Sequence, residues 1–220
     1  MGAPRAIALC QSFNGALEFQ VGRWSAAEDA LHESITLFQQ IGAADGEALS
    51  YQRLGILLTT QGKLVEGLAA LEDGIVAAKH AKLRAHLSGR LYAAIARNRL
   101  LAGDLTAADD ALALGEALTE SHGHCALCEA LLLPVAVSVR IAQGNLPAAE
   151  EYCRRLDEAT RRYESRTWVA LAAQARGELA VARGDREAAI TYYTAARGGF
   201  EEANNRQAAQ QCAEALARLQ

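Results

Sequence analysis

Four side chains able to hold a metal lie within seven residues of one another in the stretch Ser121-His122-Gly123-His124-Cys125-Ala126-Leu127-Cys128-Glu129. Two imidazoles (His122, His124) and two thiolates (Cys125, Cys128) make a closed tetrahedral set for zinc. If a helix begins near His124, Cys125 and Cys128 project one turn apart on the same side. The free N–H groups of that helix end would also favour the thiolates. Two facts weigh against a metal. Structural zinc sites usually draw ligand pairs from separated segments, and cysteine is among the most commonly buried residues, a small apolar filler between helices. A redox-active pair is a third reading, but Cys-x-x-Cys in that role belongs on a strand-to-helix turn beside a sheet. Zinc, thiol chemistry and plain packing all stay open for this loop.

Other chemistry finds no foothold. There is no Gly-x-x-x-x-Gly-Lys phosphate loop and no Gly-x-Ser-x-Gly elbow, and His32-Glu33 lacks the second histidine of a zinc-protease motif. His80 and His86 are six apart with no acidic partner in a plausible constellation. No enzyme is expected. Cys10, Cys153 and Cys212 are scattered, and an odd total of five cysteines without framework spacing points to a reducing cytoplasm.

Charge narrows the partners. A net charge of −4 and an isoelectric point near 5.8 give no global attraction for phosphates, so direct nucleic-acid contact is not expected. Arg154-Arg155 and Arg161-Arg162 are interleaved with Glu150, Glu151, Asp157 and Glu158 at helical spacings, the pattern of an exposed, charge-paired face. No run of ~18 apolar residues is present for a membrane span. The opening Met1-Gly2 reads as a cloning remnant, and the single methionine with an immediate first repeat suggests a segment excised from a longer protein. Nineteen arginines against three lysines, with abundant alanine, point to a high-GC bacterial source.

The elements that must position these residues come from a repeat. Gly22, Gly62, Gly103, Gly144 and Gly184 recur every 40 or 41 residues. Five residues after each stands a small residue (Ala27, Gly67, Ala108, Ala149, Ala189), and four beyond that a large one (Leu31, Leu71, Leu112, Cys153, Tyr193). Seven residues before each glycine is another slim residue: Gly15, Gly55, Ala96, Val137 and Gly177. Small groups on both sides of a turn let two antiparallel helices approach closely, and a glycine supplies the left-handed turn. The spacing predicts helices at about 4–21, 24–41, 44–61, 64–81, 84–102, 105–121, 125–143, 146–164, 166–183, 186–203 and 205–219. Pro134 falls inside one of them, where it should kink the helix against the carbonyl of Ala130.

This pattern resembles the tetratricopeptide repeat across nearly the whole chain. The slim residue, the glycine, the apolar residue two later (Trp24, Leu64, Leu105, Leu146), the alanine and the large residue carry the likeness. It departs in period, since the family's unit is ~34 residues, in lacking the closing proline, and in placing Arg186 where the fifth unit should be apolar. The fold expected is a single all-α domain over 1–220, a right-handed α-solenoid of five antiparallel helix pairs. The repeats are placed at about 4–43, 44–83, 84–123, 124–164 and 165–204, with a capping helix at 205–219.

The resemblance implies function as well. First helices line a concave groove in such proteins, and off the packing stripe they carry Gln52, Thr59, Arg90, Arg97, Ser138, Gln174 and Glu178. Arg90 and Arg97, two turns apart, would form a cationic spot for a carboxylate. The family's Lys/Asn carboxylate clamp is not recognisable, because Ser12, Ala16, Gln52 and Ile56 fill its places. The lengthened units look like the C-terminal repeat regions of large MalT-like bacterial transcription activators. That implies a protein-interaction or effector-sensing scaffold. A metal or thiol sensor, and a peptide or small-molecule receptor closed by the last helix, are the alternatives, with self-association open to each.

Overall fold

The computed structural model describes residues 3–121, 123, 125–163 and 165–220. Among the described residues there are eleven helices and no strand: α1 (Pro4–Gln20), α2 (Trp24–Gln40), α3 (Ala44–Thr60), α4 (Leu64–Ala78), α5 (Arg84–Leu101), α6 (Leu105–Ser121), α7 (Ala126–Ala142), α8 (Leu146–Tyr163), α9 (Arg166–Ala182), α10 (Arg186–Glu202) and α11 (Arg206–Arg218). The expected boundaries hold to within three residues, the largest difference being α4, which ends at Ala78 rather than 81. The chain gathers into two compact units, Met1–Cys125 and Ala126–Gln220.

Each helix pair closes by the turn that the glycines encode. Gly62 takes φ +80°, its N–H donates to the Thr59 carbonyl at 3.1 Å, and the next N–H, of Lys63, reaches back to Leu58 at 3.0 Å. These two bonds satisfy carbonyls that a helix end leaves open. Gly22, Gly103, Gly144 and Gly184 do the same. After α10 the role passes to Asn204 at φ 54°, asparagine being the side chain that best tolerates the left-handed region after glycine.

The slim-and-large spacing then sets the packing. A Cβ at Gly15 would lie 2.6 Å from Leu31 Cγ, and one at Gly177 would meet the Tyr193 ring at 3.1 Å. The large residues Leu31, Leu71, Leu112, Cys153 and Tyr193 are all buried. In the unit 1–125, first helices contact first helices (α1 with α3, α3 with α5), and each also packs on its own second helix. In the unit 126–220, α7 contacts α9, and α11 lays Ala208, Ala209 and Cys212 onto Tyr193, Ala196 and Phe200.

Two residues stand out from the repeat. Pro134, expected to kink its helix, lies inside α7, which continues to Ala142. Arg186, in place of an apolar residue, extends its Nε to the Leu219 carbonyl at 2.6 Å and so caps α11.

Candidate functional site

The first helices of the unit 1–125 carry a polar seam. Ser12 and Ser34 each share a hydrogen bond of 2.9 Å with Ser50, and Ser34 donates to the Ala8 carbonyl at 2.8 Å. All three serines are fully buried, so the seam ties α1, α2 and α3 together at one depth. At its edge Arg53 Nη1 donates to Ser12 Oγ at 2.7 Å, and its guanidinium carbon lies 4.5 Å from the centre of the Phe13 ring. Burial, and then the charge of Arg90 on α5, push the Arg53 guanidinium down to about 10.

The sequence singled out neither Arg53 nor Ser12 as a binding residue. Their neighbourhood becomes visible only when α1, α3 and α5 are laid side by side. Arg90 and Arg97 are half-buried on α5, as their seven-residue spacing allows, and the structure adds Arg53 to Arg90 across the helix contact.

Gln52 and Thr59, expected to face a groove, are instead buried at 2% and 4% exposure. Thr59 Oγ1 accepts from Asn98 Nδ2 at 2.9 Å, and the same amide donates to the Leu64 carbonyl at 2.9 Å. Thr59 therefore joins one repeat to the next. Gln52 leaves its Oε1 buried and without a hydrogen-bond donor. Their polarity suits a groove, yet close helix contacts enclose both.

In the unit 126–220 the positions Ser138, Gln174 and Glu178 are half-buried. Ser138 Oγ donates to Glu178 Oε2 at 2.6 Å, which joins α7 to α9. The Glu178 charge reaches the core: burial first, and then this carboxylate, raise the Tyr193 hydroxyl and push the Cys212 thiol up to about 11. A second set of charges lies on α8 and α9, where Arg176 bridges Glu150 and Asp157, while Arg154 pairs with Glu151 and Glu158. Within α8, Arg154 thus pairs at the helical spacings the sequence indicated, whereas Glu150 and Asp157 find their partner on α9.

Of the four metal-ligand candidates, His122 and His124 lie outside the described residues. Cys125 is half-buried just before α7, and Cys128 is buried in its first turn. Within the unit 1–125 a ring nitrogen of His86, on the first turn of α5, lies within 4.8 Å of Cys125 Sγ. Sequence reasoning missed His86 because it looked for ligands near in the chain. The repeat held a signal, since both residues fall at the start of a unit's first helix, His86 at α5 and Cys125 just ahead of α7.

An all-helical repeat with left-handed glycine turns, slim-to-large packing and a layer of first helices defines a tetratricopeptide-type helical repeat protein. The pattern of the MalT-like TPR region fits residues 5–220, and the chain belongs to that family. No curated protein matches it.

Proposed function

We propose that this chain is the regulatory repeat domain of a larger bacterial transcription activator, a non-catalytic scaffold whose first helices receive a protein partner or a small effector in the cytoplasm. Membership of the MalT-like TPR region over residues 5–220 carries the reading. The half-buried polar residues Arg90, Arg97, Ser138, Gln174 and Glu178 on first helices support it, because polar side chains that are only half-buried stay within reach of a partner. No helix among the described residues is long and apolar enough to cross a membrane. The deciding experiment deletes codons 5–220 from the natural gene and follows transcription of its target. Regulation that becomes constitutive or is lost supports the reading, and unchanged regulation overturns it.

A second reading rests on the closeness of His86 to Cys125. In it the loop between α6 and α7 is a metal sensor, with Cys125, Cys128 and the loop histidines His122 and His124 as the four zinc ligands and His86 standing beside Cys125. Metal analysis of tag-free protein purified without chelator tests it. One zinc per chain, lost in Cys125→Ser/Cys128→Ser and weakened in His86→Ala, supports it; metal-free protein returns these residues to packing.

A further inference from the structure

Arg53 has neighbours that suit every property of a guanidinium except its charge. Its hydrogen-bond acceptor is the Ser12 hydroxyl, at 2.7 Å, and its guanidinium carbon lies over the Phe13 ring, 4.5 Å from the ring centre. Both groups are neutral, and the charge that acts on it is the like charge of Arg90. A cation drawn this far from water is ordinarily matched by a carboxylate.

The carboxylates of this layer are committed elsewhere. Glu18 pairs with Arg23 beyond the end of α1. Asp45 accepts the backbone N–H groups of Leu83 and Lys82 at 2.9 and 3.2 Å, ahead of α5. Glu47 accepts from Gln39 Nε2 at 3.0 Å. Those are the only carboxylates in α1, α3 and α5, which together hold six arginines: Arg5, Arg53, Arg84, Arg90, Arg97 and Arg99. The layer carries an excess of positive charge although the whole chain is negative.

Beside Arg53 the surface is apolar. Leu9, Phe13 and Leu17 lie on one face of α1 at intervals of four residues and are 40%, 50% and 60% exposed. A ligand that fits would bring a carboxylate to the arginines and apolar side chains to α1.

We propose that Arg53 receives a carboxylate from an acidic, leucine-rich segment of a protein partner, whose apolar side chains lie on Leu9, Phe13 and Leu17. The planar guanidinium of Arg53, already held by Phe13 and Ser12, has further N–H groups in the fork that a carboxylate matches. This rests on the partner-binding reading above and names the chemistry of the partner.

Fluorescence anisotropy tests it on the full 220-residue chain, with a labelled Leu/Glu peptide as probe and its Leu/Gln counterpart as control. The Leu/Glu peptide should bind about tenfold more tightly, and Arg53→Gln should remove that preference. Arg154→Gln, on the exposed α8 face, should leave it intact. Should Arg53→Gln lose helicity by circular dichroism, Arg53→Lys decides, since it keeps the charge but not the fork and should bind between the two. Equal binding of both peptides, or a preference unchanged in a folded Arg53 variant, overturns the proposal. So does stronger binding of a single-stranded oligonucleotide than of the Leu/Glu peptide, which would make phosphate the ligand. None of these results touches the gene-deletion experiment, so failure here and failure of the regulatory reading are separable.

Discussion

A Cβ placed on Gly55 would stand 2.4 Å from Leu71 Cγ and 2.9 Å from the Gly67 carbonyl oxygen. The leucine fills the space that a side chain at 55 would need, and the backbone of α4 closes the other side. Helix propensity alone favours alanine over glycine by about 1 kcal/mol. Gly55→Ala is nevertheless expected to destabilise the chain by about 1–3 kcal/mol, because side chain and backbone must both move. Urea unfolding of Gly55→Ala, Leu71→Ala and the double variant should show the double to be less destabilised than the sum of the singles. Additivity would mean that the two residues are not the coupled pair described here.

Arg186 is the residue that departs from the repeat's apolar pattern, and its role is at the far end of α11. Removing the cap in Arg186→Ala should cost about 0.5–1 kcal/mol. The loss should be local: backbone amides of α11 exchange faster with deuterium, while those of α9 do not. Arg186→Leu restores the family's residue type and should behave like the alanine variant.

The Glu150 carboxyl is held below the usual carboxylate range, first by its hydrogen bond from Arg176 and then by the charges of Arg176 and Arg183. A carboxylate of lowered pKa adds stability above its unfolded value of ~4.3 and loses it as pH falls through the lower folded value. The wild type should therefore melt above Glu150→Gln at pH 6, and the two melting temperatures should converge as pH falls towards 3. A gap that persists at the acid end would point to packing rather than charge.

Burial pushes the thiols of Cys153 and Cys212 up to about 12 and about 11, against the pull of Arg176 on the first and Arg197 on the second. Both remain protonated at neutral pH and are enclosed. Iodoacetamide at pH 8 should label the exposed Cys10 first and reach Cys153 and Cys212 only on unfolding, as peptide mass spectrometry would show. Early labelling of Cys153 would mean that the α7–α8 contact opens in the native protein.

The sequence announced the turns and the helix pairs because both depend on residues a fixed distance apart. Gly62 and its counterparts are needed where φ is positive, and Gly15, Gly55 and Gly177 where a Cβ has no room. The site was less legible. Gln52 and Thr59 are polar residues on first helices, yet the contact between neighbouring first helices encloses them, and that depends on how close the helices approach. Arg53 escaped notice because its position is filled by Phe13, Ala94, Val135 and Ala175 in the other units, so periodicity gives no reason to expect a charge there. His86 and Cys125 were missed as a pair because ligand spacing was sought along the chain rather than between repeats.

The slim-to-large fit has a consequence for how such a chain diversifies. At four of the five positions, Gly15, Gly55, Ala96 and Gly177, a small residue precedes the turn and a bulkier one, Leu31, Leu71, Leu112 or Tyr193, follows it. In the α7–α8 hairpin the share is redistributed, with Val137 and the smaller Cys153 in one buried cluster. The quantity that is kept is the joint volume of the two partners. A hairpin moved whole carries its own fit with it, whereas a single helix exchanged between hairpins would set Val137 against a leucine. Recombination between copies of this unit should therefore be tolerated at the loops between hairpins and rejected at the glycine turns within them.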